Sequence, residues 1–166
     1  MREKEILKFT VKFVPHEKIK DYIACYNVIY EGKSIYPPAA LHLGIPPGEI
    51  WISDAFRGYA SYILFHELQE IKHRAEGYDV EEAHKLALRD EEMRFNKDEK
   101  WQKMKREINI CTLESLISTP GIGKVLANRI MENRPYDKME ELLKIEGIGE
   151  KRLQALKLRF WCILEG

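Results

Sequence analysis

Leu7-Lys8-Phe9-Thr10-Val11-Lys12-Phe13 alternates apolar and polar residues, the two-residue period of a half-buried strand, and Pro15 ends it. From His16 to about Tyr30 the period lengthens. Ile19, Ile23, Tyr26 and Tyr30 recur at helical spacing, so a helix is expected there, closed by Glu31-Gly32-Lys33. Pro37-Pro38 opens a short helix through Leu43, stopped by Gly44 and Pro46-Pro47-Gly48, and Glu49–Ser53 reads as a short strand. A longer helix is expected from about Gly58 to Ala75. Gly77-Tyr78-Asp79 interrupts it, and Asp79 is placed to cap a further helix from Val80 to about Phe95. Asn96 and Asp98 mark a break before a charged helix around Trp101 to Glu107.

Beyond that point the pattern is a repeat. Thr119-Pro120-Gly121-Ile122-Gly123-Lys124 returns twenty-six residues later as Ile145-Glu146-Gly147-Ile148-Gly149-Glu150, each copy flanked by apolar helical patterns. A Gly-Ile-Gly turn permits positive φ and leaves the turn amides, and those opening the next helix, without partners. Such amides form an anion site that reads no base sequence. Ile122 and Ile148 are expected to turn inward and pin each hairpin to the core.

The stretch from Ile108-Asn109 through Leu116, the first hairpin, Ala127 and Ile130, Pro135-Tyr136-Asp137, Glu141-Leu142-Leu143, the second hairpin and Lys151 to Leu156 resembles the tandem helix-hairpin-helix domain of bacterial competence DNA-uptake proteins. The resemblance covers roughly residues 107–160. It implies sequence-independent binding of DNA backbone through Gly121, Ile122, Gly123, Lys124, Gly147, Ile148, Gly149 and Lys151. Glu146 and Glu150 flank the second pair of glycines and would repel phosphate, so the first hairpin, between Thr119 and Lys124, is the stronger candidate. The expected fold is therefore an α+β domain with few short strands over residues 1–96, a helical connector over 97–106, and an all-α tandem helix-hairpin-helix domain over 107–166.

Charge sharpens this division only slightly. The chain holds 27 basic and 27 acidic residues; residues 105–166 carry 11 and 9, a net of +2, which leaves 16 and 18, a net of −2, for residues 1–104. So small an excess predicts weak, salt-sensitive binding of nucleic acid. Cys25, Cys111 and Cys162 are far apart and lack any Cys-x-x-Cys pair, as suits a reducing cytoplasm. Met1-Arg2-Glu3-Lys4-Glu5 has no signal-peptide character, and no apolar run reaches membrane-spanning length, so no membrane partner is expected. Scarce Asn and Gln beside abundant Lys, Arg and Glu lean toward an archaeal or thermophilic source.

The first region carries its own candidate chemistry in His66-Glu67-Leu68-Gln69-Glu70. His66 and Glu70, one turn apart, suit a shared cation such as Zn2+, and the adjacent Glu67 is a candidate catalytic base toward water. A third ligand must come from elsewhere. His84 shares a face with Val80, Ala83, Ala87 and Leu88 that points to the partner helix, and Glu91 lies on that face too. His73, seven residues after His66, competes with His84. The motif resembles the His-Glu-x-x-His pattern of zincin metallopeptidases, with Glu70 in place of the second histidine. The strand Glu49–Ser53 is similar to the edge strand beside their active-site helix.

A plain reading competes. Leu64, Leu68, Ile71 and Ala75 form the main apolar stripe, and His66, Glu70 and His73 lie roughly opposite, where they would serve as a solvated face. His16 and His42 sit near prolines and turns and read as structural. Three functions thus follow: non-sequence-specific DNA binding, in repair or processing, with Lys124, Arg129, Lys151 and Arg152 as counter-charge; a zincin-like hydrolase brought to DNA; or a module joining proteins. The oligomeric state is left open.

Overall fold

The computed structural model describes residues 8–19 and 21–165. The opening Met1-Arg2-Glu3-Lys4-Glu5 and Leu7 lie outside them. The chain divides into two compact units, Met1–Asn96 and Lys97–Gly166. Among the described residues no helix is long and apolar enough to cross a membrane.

The first unit is built on a mixed sheet of β1 (Thr10–Val14), β2 (Ala24–Tyr30), β3 (Lys33–Ile35) and β4 (Glu49–Ser53), in the order β1-β4-β2-β3. β1 runs parallel to β4, with Val11 opposite Ile50; β2 is antiparallel to β4, with Cys25 opposite Trp51. β4 is therefore an interior strand, which corrects its likeness to an edge strand. An antiparallel neighbour and a parallel one each took a side of it. The two faces are covered separately. Val14, Ile19, Cys25, Ala40 and Ile45 pack on one face, under α1 (His16–Ile19) and α2 (Pro38–Leu43). Tyr26, Val28, Ile35 and Ile50 pack on the other, against Leu64, Leu68 and Ile71 of α3 (Ala60–Ala75).

The helix expected from His16 to Tyr30 is a correction. Among its described residues, only His16–Ile19 is helical; the chain turns through Ile23 at φ 67 and continues as β2. Tyr, Val and Ile favour a pleated surface buried on both faces, and sheet pairing outweighs a helical coincidence of apolar residues. Glu31-Gly32 is accordingly the tight turn of the β2–β3 hairpin, with Tyr30 opposite Lys33, rather than a helix end.

α3 follows a 3-10 segment, Asp54–Tyr59, and is joined to α4 (Val80–Phe95) through Gly77-Tyr78-Asp79, where Asp79 accepts from the Glu82 amide at 2.8 Å. Ala83 and Ala87, both fully buried, let α4 lie close along α3. α3 is thus enclosed, with the sheet on its apolar stripe and α4 on its polar side. His16 is structural: its Nδ1 lies 2.8 Å from Ser53 Oγ in the interior.

The second unit contains α5 (Glu99–Met104), α6 (Leu113–Ile117), α7 (Lys124–Glu132) and α8 (Glu150–Lys157), with a 3-10 segment at Met139–Lys144. One core joins α6, α7, α8 and the 3-10 segment, centred on Ile108, Leu116, Ile130, Leu142, Leu153 and Leu156. Residues 97–106 belong to this unit rather than standing apart, since Trp161 Nε1 donates to the Lys103 carbonyl at 2.8 Å. Glu107, with no exposed surface, accepts from Asn109 N at 2.7 Å and Ile163 N at 3.0 Å, tying the two ends of the unit together. Burial raises its carboxyl pKa, against the hydrogen bonds that lower it.

Candidate functional site

In the second unit the two hairpins repeat closely. Ile122 and Ile148 are buried, each with its amide bonded to the carbonyl three residues earlier, Thr119 and Ile145, at 3.0 Å. Gly121 and Gly147 hold φ of 85° and 97°, which side chains rarely adopt. A Cβ on Gly147 would also stand 2.7 Å from Leu126 Cδ2. Gly123 and Gly149 differ. Their backbones are extended, and a Cβ there would meet nothing within 4 Å. The fold does not need glycine at these two positions. What the missing side chain provides is open approach to the first amides of α7 and α8, which have no side-chain cap.

Lys124 and Lys151 are exposed beside these amides, as are Glu146 and Glu150. Thr119 is buried, 2% exposed, and does not border the anion face. The two arginines expected as counter-charge are engaged with the protein itself. Arg152 donates from Nε to the Gly121 carbonyl at 2.8 Å and from Nη1 to the Gly147 carbonyl at 3.2 Å, so one guanidinium spans both hairpins. Arg129 Nη1 donates to the Glu146 carbonyl at 2.8 Å, linking α7 to the second hairpin. Three hairpin carbonyls, of Gly121, Glu146 and Gly147, are thereby held by arginine. The repeat offered no sequence signal for this cross-link, because positions 129 and 152 are not equivalent in the two copies.

In the first unit, Nε2 of His66, Oε1 of Glu70 and Nδ1 of His84 all lie within 4.8 Å of one another. The separations are 3.1 Å for the two imidazole nitrogens, 3.2 Å for His84 to Glu70 and 3.5 Å for His66 to Glu70. A tetrahedral ion with bonds of about 2.0–2.1 Å holds its ligand atoms roughly 3.3 Å apart, so this triangle matches one face of such a site. His73 is turned away, to Asp90 at 2.6 Å and Glu76 at 3.2 Å. His66 and Glu70 are 9% and 6% exposed, which corrects the solvated-face alternative: α4 covers the side of α3 opposite the sheet. The His84 side chain, 53% exposed, leaves the cluster open to solvent on its own side.

Around the triangle stands a second ring. His66 Nδ1 is hydrogen-bonded to Glu91 Oε2, and the Tyr26 hydroxyl donates to Glu70 Oε2 at 2.7 Å. Glu67 is buried on the same helix and acts electrostatically on His66, Glu70 and Cys25. Burial opposes charge on the His66 ring, yet Glu70 and Glu91 together push its pKa up to about 10. Burial raises the Glu67 carboxyl, helped by its acidic neighbours. Burial would raise Glu70 as well, but hydrogen bonds from His66, His84 and Tyr26 hold it below the usual carboxylate range. Glu67, Glu70 and Glu91 are thus gathered with His66 and His84 between α3 and α4. Tyr26 carries no signal of this role in the sequence, where its segment has helical spacing. Glu91 was visible on the α4 face, without its role.

A His-Glu cluster and a repeated glycine hairpin are thus carried by one chain. Residues 103–160 match a family model described as a helix-hairpin-helix motif. A more particular likeness is to the endonuclease/exonuclease/phosphatase family domain-containing protein 1 of Danio rerio, 36% identical over 55 residues, which are 31% of this chain. The chain spans only 10% of that relative's length.

Proposed function

We propose that the second unit binds the phosphate backbone of DNA without reading its sequence, in DNA repair or processing, through the paired hairpins. The observation that carries this reading is glycine at 123 and 149, where neither φ nor packing calls for it and where a side chain would obstruct the uncapped amides. The helix-hairpin-helix match and the likeness to a protein named for nucleases and phosphatases support it. Lys124 and Lys151 add charge. The first hairpin dominates, because Glu146 and Glu150 weaken the second.

The test is duplex binding by the full chain over a salt series. With a few phosphates engaged, the slope of log K against log salt is about −2 to −4. Gly123→Glu and Lys124→Glu should abolish binding while melting stays near wild type. A wild-type chain that fails to bind at low salt sinks the reading.

A second reading, favoured by the 3.1–3.5 Å triangle, is a zincin-like hydrolase brought to DNA by the hairpins. His66, Glu70 and His84 would hold Zn2+, which would supply Lewis acidity there. Glu67, whose raised pKa suits proton exchange near neutrality, would move the proton. Metal analysis of protein purified without chelator tests it: near-stoichiometric zinc lost in His66→Ala supports this reading, and no metal in either overturns it. Hydrolysis lost in Glu67→Gln with zinc retained would assign the base.

A further inference from the structure

We propose that Glu91 and Tyr26 are positioning residues that decide which atoms of His66 and Glu70 face a cation. The inference rests on reading His66, Glu70 and His84 as the ligand set and adds the residues that orient it.

The argument runs through donors and acceptors. An ionised carboxylate only accepts, so Glu91 Oε2 against His66 Nδ1 places a proton on Nδ1. That fixes the imidazole plane and turns Nε2 toward His84 and Glu70. Arginine only donates. Arg74 Nη1 stands 3.4 Å from the Tyr26 hydroxyl and 3.3 Å from the Tyr36 carbonyl, so the tyrosine proton is committed to Glu70 Oε2. Oε2 is thereby occupied and Oε1 is left toward the two histidines. Tyr26 and Glu91 are 1% and 2% exposed, so water does not compete for either bond. Each comes from an element other than α3: Tyr26 from β2 and Glu91 from α4. Two of the three ligand atoms, Nε2 of His66 and Oε1 of Glu70, are thus oriented from different layers of the unit. Outer carboxylates that hold a ligating imidazole in this way commonly govern metal affinity by about 10–100-fold.

The experiment titrates Zn2+ into metal-stripped full-length protein against a chromophoric chelator, and records the visible spectrum of the Co2+ form. Wild type, Glu91→Gln, Tyr26→Phe and His66→Ala are compared, with melting of each metal-free protein as a control. Glu91→Gln should weaken zinc binding by about 10–100-fold. Tyr26→Phe should weaken it less, and both should shift the cobalt bands while melting stays near wild type. Wild-type affinity and an unchanged cobalt spectrum in both variants, with loss in His66→Ala, would overturn the positioning role and leave the ligand set standing. A wild type that takes up no zinc would overturn both. If Glu91→Gln fails to fold, the cobalt spectrum of Tyr26→Phe decides: shifted bands support the proposal, unshifted bands overturn it.

Discussion

In the first unit the polar groups of interest are side chains turned inward between α3, α4 and the sheet; in the second they are backbone amides turned outward at two glycine hairpins. The costs differ accordingly. Burying His66, Glu67, Glu70 and Glu91 forces each charge to find a partner or change its proton affinity. At the hairpins the groups stay solvated, and the structure has only to keep Cβ atoms away from them. The first arrangement gains strength from low dielectric and depends on distant residues. The second is assembled locally, from residues within one turn of each other.

The sharpest way to break this contrast is to fill a glycine in each hairpin position. Gly147→Val should lower folding stability by about 2–4 kcal/mol, since it combines a disfavoured φ with the approach to Leu126, and urea unfolding would show it. Gly123→Ala, at the N-cap of α7, should cost no more than about 1 kcal/mol and still weaken DNA binding. If the two substitutions behave alike, the distinction between folding glycines and approach glycines is lost.

Next in size is cation binding by the first unit. Zinc at about 100 times its Kd should stabilise wild type by about 2.7 kcal/mol and do nothing for His66→Ala. Equal melting of both proteins with and without zinc would reduce the inward cluster to packing.

Arg152→Lys separates charge from bridging. Lysine keeps the charge but cannot span Gly121 and Gly147, so affinity for duplex should fall as far as in Arg152→Met. Retained affinity in the lysine variant alone would make Arg152 a simple counter-charge.

The pH dependence of the metal-free protein gives a smaller effect. Glu67 binds its proton more tightly folded than unfolded, so its contribution is present at low pH and is lost as pH rises above about 4.5 toward its raised folded value. Glu67→Gln should therefore gain on wild type from pH 5 to pH 8 in chemical denaturation; a constant difference would contradict the burial of that charge. Smallest is thiol reactivity. Burial pushes Cys25 and Cys162 up to about 12, so iodoacetamide at pH 8 should label neither until the protein unfolds, as mass spectrometry would report.

Legibility differed between the units for a physical reason. Hairpins, caps and short helices depend on neighbours within a few residues, so Gly121-Ile122-Gly123, Asp79 and Pro37-Pro38 could be placed from spacing alone. β2 could not, because its pairing partners Glu49–Ile52 lie far along the chain and its apolar residues also fit a helix. Losing β2 hid Tyr26, and with it the clamp on Glu70, 44 residues away. The chain by itself thus determined a doubled glycine turn at a helix start and a His-Glu-x-x-Glu face on α3, since both follow from local φ limits and helical period. Packing between elements set the rest: α4 closes over that face, His84 rather than His73 completes the triangle, and Arg152 bolts one hairpin to the other. Those outcomes depend on the distances between packed elements, which no local spacing encodes.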